Sequence, residues 1–335
     1  MSGCPTGALH DAAVTLWPRA IARGARLVTG AWVERIETDV GGRATGAAYR
    51  DRASGERRFQ PARLVVLCAN GVGTPRLLLM SDSARFPKGL ANGSDQVGRN
   101  LMHHTLVSAE IWTEARLDGF QGFVGALISS EFAEGDPARG FVNGFNFNVA
   151  RGSGPGMTAV GSFARQPAPW GPGHHDWFRR HFAHSVRVHA IGDDLPQAEN
   201  RVTLSATLKD EMGLPAPRIA YRPHAEDWRQ MAFMRGPLKQ LAEAAQAVDF
   251  AINDYVDADG VYRTPAWHLL GTARMGDDPA GSVVDRWHRA WEVPNLYICD
   301  GSSLPTGGVV NPTPTISALA LRAAEHIRDV AAKGG

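Results

Sequence analysis

Two short stretches near the C-terminus constrain this chain more than any others. One is Trp267-His268-Leu269-Leu270-Gly271-Thr272-Ala273-Arg274-Met275-Gly276, and the other runs from Asn295 through Asp300-Gly301-Ser302-Ser303 to Asn311-Pro312-Thr313-Pro314-Thr315. Glycine and proline punctuate both, so each reads as a turn between regular elements. They place one imidazole, His268, and one side-chain amide, Asn311, on turns that a compact fold can bring together. That pair suits removal of a hydride from a carbinol carbon. The hydroxyl proton needs a base that titrates near neutrality, and a second polar group must hold the same oxygen so that the C–H bond faces its acceptor. No side chain accepts hydride, so the acceptor has to be a cofactor.

The residues around the pair carry a resemblance. The His268–Gly276 block, Ser282-Val283-Val284-Asp285, Asn295-Leu296-Tyr297-Ile298-Cys299-Asp300-Gly301-Ser302 and Asn311–Thr315 resemble the C-terminal signature blocks of the glucose-methanol-choline (GMC) oxidoreductases, which use FAD. Upstream, the run from Leu64 through Asn70-Gly71-Val72-Gly73-Thr74-Pro75-Arg76 to Leu79 is similar to the family's second flavin motif, and Val97-Gly98-Arg99-Asn100-Leu101-Met102-His103-His104 to the block after it. Gly3-Cys4-Pro5-Thr6-Gly7-Ala8 resembles a segment of the sugar and long-chain alcohol dehydrogenase branches. The blocks occur in the family's order and cover both ends of the chain. The Trp-His-Leu-Leu-Gly-Thr and Asn-Pro-Thr sequences are most similar to the gluconate and sorbose dehydrogenase branch.

The resemblance implies an α/β fold of α+β character: an incomplete FAD-binding Rossmann-like domain and a substrate domain built on a largely antiparallel sheet. It divides the chain into residues 1–104 (partial FAD domain), 105–259 (substrate domain) and 260–335 (a return to the FAD domain carrying the catalytic residues). Catalysis is expected from His268 and Asn311, and FAD contacts from Val33, Asn70, Gly71, Thr74, Asp300, Gly301, Pro312 and Thr313. The expected activity is oxidation of CH–OH groups of a sugar, sugar acid or long-chain alcohol. Electrons would then pass to oxygen, a quinone, a cytochrome or an electron-acceptor subunit.

Composition narrows the alternatives. With 335 residues, 44% of them hydrophobic, the chain is long enough for two domains with real cores. Its 35 Lys and Arg nearly balance 34 Asp and Glu, which gives no electrostatic case for nucleic acid. No apolar run reaches the ~18 residues of a membrane span. Cys4, Cys68 and Cys299 are scattered without CxxC spacing, and Cys68 and Cys299 end apolar runs as core residues would. Five histidines, His174, His175, His181, His184 and His189, cluster without a recognisable ligand spacing, so no metal is expected. His103-His104 reads as structural.

Patterning gives the elements. Residues 11–23 read as a helix closed by Gly24. Leu27-Val28, Val33–Ile36, Gly46–Tyr49 and Leu64–Leu67 read as short strands, and Phe141–Phe147 alternates like an antiparallel one. Residues 226–248 read as helical with a break at Gly236-Pro237. The final helix is expected to start with Thr313 as N-cap and Pro314 in first position, and to bury Ile316, Leu319, Ala320, Ala323 and Ile327. Its positive end would lie beside Asn311, where negative charge on a reduced flavin would be stabilised.

One expected element is missing. Family members begin with a strand and a Gly-x-Gly-x-x-Gly turn whose amides hold the FAD pyrophosphate. Gly152-Ser153-Gly154-Pro155-Gly156-Met157 lacks the third glycine, and at Gly71-Val72-Gly73-Thr74-Pro75-Arg76 an arginine stands in its place, which argues against nicotinamide binding. The chain is therefore expected to be the C-terminal part of a longer enzyme, with any targeting leader elsewhere and the compartment open between cytoplasm and periplasm. The competing expectation is a non-catalytic remnant, or a partner subunit unable to hold FAD alone.

Overall fold

The computed structural model describes residues 11–121, 125–161, 168–263 and 268–332. The Gly3–Ala8 block, with Cys4, and Trp267 lie outside the described residues. Helix α1 (Ala12–Ala22) opens on the Asp11 carboxylate, which accepts from the Ala13 and Val14 amides, and ends before Gly24 in the left-handed region. Strands β1 (Ala31–Thr38), β2 (Ala44–Asp51) and β3 (Arg57–Pro61) form an antiparallel meander. Strand β4 (Val65–Leu67) leads directly into helix α2 (Asn70–Met80).

Next come β5 (Thr105–Trp112), β6 (Gly125–Ser129), β7 (Phe145–Arg151), short helices α3 (Pro155–Ala159) and α4 (Gly173–His181), and β8 (Ser185–Gly192). The hairpin β9 (Arg201–Lys209) and β10 (Pro215–Ala220), helix α5 (Ala225–Ala244) and β11 (Asp249–Asn253) follow. Strand β12 (Leu296–Ile298) and helix α6 (Thr313–Ala332) close the chain. Five strands in the order β11-β5-β8-β7-β6 make one antiparallel sheet. A separate parallel pair joins β4 to β12.

Two cores result. Alternate residues of the large sheet, Val107, Ala109 and Ile111 on β5 with Phe145, Phe147, Val188 and Ala190, pack against Met231, Met234, Leu238 and Ala242 of α5. The second core surrounds the parallel pair, where Leu78, Leu90, Val97, Val284, Val293, Leu296 and Ile298 are fully buried. Among the described residues no helix is long and apolar enough to cross a membrane.

Some local expectations are corrected. Leu27 and Val28 form no strand and are exposed. Phe141–Gly144 precede β7 rather than belong to it. Helix α5 runs unbroken through Pro237, because the stripe Met231, Met234, Leu238 and Ala242 anchors both halves to one core and outweighs the ~3 kcal/mol that an interior proline costs. Cys68 is exposed and Cys299 half-buried, rather than in the core. Both sit one residue past a strand, where the sheet opens.

Asn295 shows how a signature residue serves the fold. Its side chain is buried, accepts from the Ala44 amide at 2.9 Å, and donates to the carbonyl oxygens of Ala44 and Arg63, each at 2.8 Å. It pins the meander to the parallel pair. Asn295→Ala leaves those backbone groups without partners, and urea denaturation should show a loss of about 2–4 kcal/mol. A loss below about 0.5 kcal/mol would refute this bridging role.

Candidate active site

Strands β4 and β12 run in parallel register, Val65 beside Leu296 and Leu67 beside Ile298, so their carboxyl ends open side by side. In open α/β sheets that edge is where ligands bind. From β4 the chain turns into α2, and from β12 into the 3₁₀ turn Gly301–Ser303. The Asp300 carboxylate joins the two exits. Its Oδ2 accepts from the Asn70 amide at 3.1 Å and the Thr74 hydroxyl at 2.6 Å, and its Oδ1 accepts from the Ser302 amide at 2.8 Å. Thr74, fully buried, also accepts from the Ala69 amide.

Asn70 opens α2 with a left-handed φ of 66°, a conformation asparagine tolerates better than most residues. Its Oδ1 accepts from the Val72 and Gly73 amides and so caps the helix it begins.

Into the gap between these exits comes the loop carrying His268 and Leu269. A Cβ on Gly71 would lie 2.5 Å from the Leu269 carbonyl oxygen, and one on Gly301 would lie 2.8 Å from the same oxygen and 2.8 Å from Leu270 Cδ2. Only glycine at both positions lets three backbones meet there. The loop is zipped on both sides: Leu270 exchanges backbone bonds with Met102, Ala273 donates to Ser302, Met275 to Ser303, and the Thr272 hydroxyl to the Gly71 carbonyl oxygen. Behind it Met102, Leu270 and Leu304 form a small core with Ile316 and Leu319 of α6. Helix α6 starts with Thr313 inside its first turn, and the Pro312 carbonyl accepts from Ile316, so the cap falls one residue earlier than expected.

The predicted residues thus fall into groups. Asn70, Gly71, Thr74, Asp300 and Gly301 converge around Leu269. Pro312 is buried and Thr313 exposed at the start of α6. Val33 lies apart, 39% exposed on β1 opposite Tyr49. Asn311 is exposed, and among the described residues no hydrogen bond joins it to His268. His268 is half-buried. Loss of hydration, and secondarily the charge of His104, bring its pKa down to about 4, so its imidazole is neutral at pH 7.

Sequence reasoning treated His103 and His104 as structural, yet both line this junction. The His104 ring packs edge-to-face on His268 with centroids 4.8 Å apart. His103 borders a cleft of about 590 Å³ that also involves Asn70, Val72, Gly73, Tyr221, Tyr262 and Leu269, and its buried Nδ1 has no partner among the described residues. A larger cleft of about 680 Å³, near Arg50, Arg57 and Lys88, lies away from this chemistry, and its buried Glu34 is already paired with Arg50 and Arg57. Among the described residues no three His, Cys, Asp or Glu side chains are placed to hold a metal. The clustered histidines go separate ways: His181 pairs with Asp249, His184 meets the Thr113 carbonyl oxygen and His189 meets Ser108.

Comparison with known proteins matches this arrangement to its sequence blocks. The two GMC oxidoreductase family models match residues 1–106 and 196–320. The chain belongs to the GMC oxidoreductase family. It is 47% identical to a 2-methyl-1,2-propanediol dehydrogenase of Mycolicibacterium austroafricanum, over 98% of this chain and 58% of that protein. It is 33% identical to the fructose dehydrogenase large subunit of Gluconobacter japonicus, over 97% of this chain and 57% of that one. The fold is shared with formate oxidase of Aspergillus oryzae RIB40 at a TM-score of 0.65 and 16% identity, covering 89% of this chain and 60% of that structure. The chain therefore spans somewhat over half the length of these relatives. FAD is the cofactor of the family.

Two tests follow from this geometry. Gly301→Ala should cost about 1–3 kcal/mol by forcing Leu269 outward. Gly236→Ala, with nothing within 4 Å of the added methyl, should be neutral or stabilise α5 by up to about 1 kcal/mol. Equal effects in chemical denaturation would remove the argument from close approach.

The second test concerns pH. His103, His104, His189 and His268 are held neutral down to about pH 4, chiefly by desolvation, whereas the unfolded chain protonates them near 6.5. Their depressed values make stability rise with pH between about 4 and 6.5. Asp193 and Asp227, pushed up to about 7 by burial, and the wholly buried Asp194, also raised by burial, act in the opposite sense. With His288 also lowered by burial, five imidazoles outnumber three carboxyls, so the melting temperature should climb from pH 4.5 to 6.5. A falling curve contradicts the assignment.

Proposed function

We propose that this chain supplies the substrate side and catalytic base of an FAD-dependent oxidation of an alcohol CH–OH group. The observation that carries the reading is His268: a neutral, half-buried imidazole on a loop clamped between Gly71 and Gly301, at the carboxyl ends of the two parallel strands. The residues present fit a flavin. Helix α2 presents its N-terminus there, and His103 Nδ1, buried and without a partner among the described residues, borders the adjoining cleft. Asn70, Gly71, Thr74 and Gly301 would line it, with Asp300 setting their spacing and the start of α6 at Pro312-Thr313 adding its positive end.

Bound FAD supplies the hydride acceptor. His268 takes the hydroxyl proton on an unprotonated imidazole nitrogen. Asn311, exposed and free of any hydrogen bond among the described residues, turns its amide to the same oxygen and fixes the direction of the C–H bond. The relatives are named for a diol and a sugar, so small polyhydroxylated alcohols are the first substrates to test. One of them is named as a large subunit, which supports an electron-accepting partner for this chain too.

In flavin-loaded protein, His268→Ala should slow flavin reduction by ~10²-fold or more while leaving FAD bound. Because the unprotonated ring is the active form, the wild-type rate should fall as pH drops through about 4 and stay level from 5 to 7. Unchanged reduction in His268→Ala overturns the reading.

A further inference from the structure

His104 is built with more care than a packing residue needs. Only 3% exposed, it holds a left-handed φ of 93°, which is strained for a residue with a Cβ. That conformation is over-determined. The wholly buried Asp194 carboxylate accepts from the His103 amide at 2.9 Å, the His104 amide at 3.0 Å and the Tyr221 hydroxyl at 2.7 Å. The Tyr262 hydroxyl reaches the His104 carbonyl oxygen at 3.4 Å.

The ring is tethered as well. Its Nδ1 lies 3.1 Å from the Gly192 carbonyl oxygen. A carbonyl oxygen only accepts, so Nδ1 carries the proton, and Nε2 of the neutral ring keeps its lone pair without a partner among the described residues. On one side the ring edge meets His268 at 88° between planes. On another it meets the turn leading to Asn311: a Cβ on Gly307 would stand 3.4 Å from His104 Cε1 and 2.9 Å from Asp193 Oδ1. The imidazole therefore stands as a wall between the loop of the base and the turn before the amide.

We propose that His104 is a positioning residue that sets the orientation of the His268 imidazole against the Gly307–Asn311 turn. The inference rests on His268 being the base. A purely structural His104 would need its backbone bonds and its tether to Gly192, but not its ring edge against His268. Too deep for substrate to reach and held by Gly192, it does not act as the base itself.

Two substitutions separate ring from tether. His104→Asn tolerates the left-handed backbone and places an amide donor near Gly192, so the protein should fold, but it lacks the ring. His104→Phe keeps the ring edge and loses the tether. The first readout is the titration of His268 in the full chain, followed by NMR of its imidazole C–H without flavin. His104→Asn should move that titration upward, from about 4 toward its ordinary 6.5, because the ring that helps keep water from His268 is lost. His104→Phe should keep it depressed.

In flavin-loaded protein His104→Asn should lower the limiting rate of flavin reduction ~10-fold or more at an unchanged substrate KM. Wild-type titration and rate in His104→Asn overturn the proposal, even if His104→Phe fails to fold. The titration is independent of flavin chemistry. Hence unchanged flavin reduction in His268→Ala would refute the assigned base while leaving the geometric claim to its own measurement.

Discussion

The Asp300 carboxylate is the interaction on which the rest of the site depends. Three donors from two chain segments, Asn70, Thr74 and Ser302, converge on its two oxygens. Burying a carboxylate is costly unless such donors surround it, and meeting that cost ties the exit of β4 to the exit of β12. Once the exits are tied, Gly71 and Gly301 face each other across a slot that admits only backbone. Leu269 fills the slot, and the neighbouring position belongs to His268. The backbone of the His268 loop is therefore located by main-chain packing.

The same economy recurs one layer out. Asp194 gathers the amides of His103 and His104 and the Tyr221 hydroxyl as Asp300 gathers its three donors. Each carboxylate has its oxygens committed to hydrogen bonds from nearby chain segments and holds a strained or closely approached backbone in place. The result is a hydrogen-bonded frame under the half-buried His268, while Asn311 stays exposed.

Local patterns announced some elements reliably and others not at all. Helix α1 lies between Asp11 and Gly24, as its cap residues indicate, whereas of the expected α6 stripe only Ala323 is fully buried and Ile316, Leu319, Ala320 and Ile327 are half-buried. Leu27 and Val28 alternate like a strand but have no partner strand, and without cross-strand bonds the pattern forms nothing. Gly236-Pro237 signals a break, yet tertiary burial on either side keeps α5 whole. The role of His104 was hidden for a similar reason: in sequence it stands 164 positions from His268 and looks like the end of an apolar block.

By itself, the sequence determined the family, the order of its blocks, the nature of the two polar groups suited to alcohol oxidation and the turns that glycine and proline punctuate. Those are properties of residue type and spacing. Tertiary structure alone decided that Asp300 spends its hydrogen-bonding capacity on Asn70, Thr74 and Ser302, that Gly71 and Gly301 face the same carbonyl oxygen, and that His104 walls His268. These depend on which distant segments share a volume. Hydrogen bonds and close contacts act over a few ångströms in space, whereas sequence records only distance along the chain.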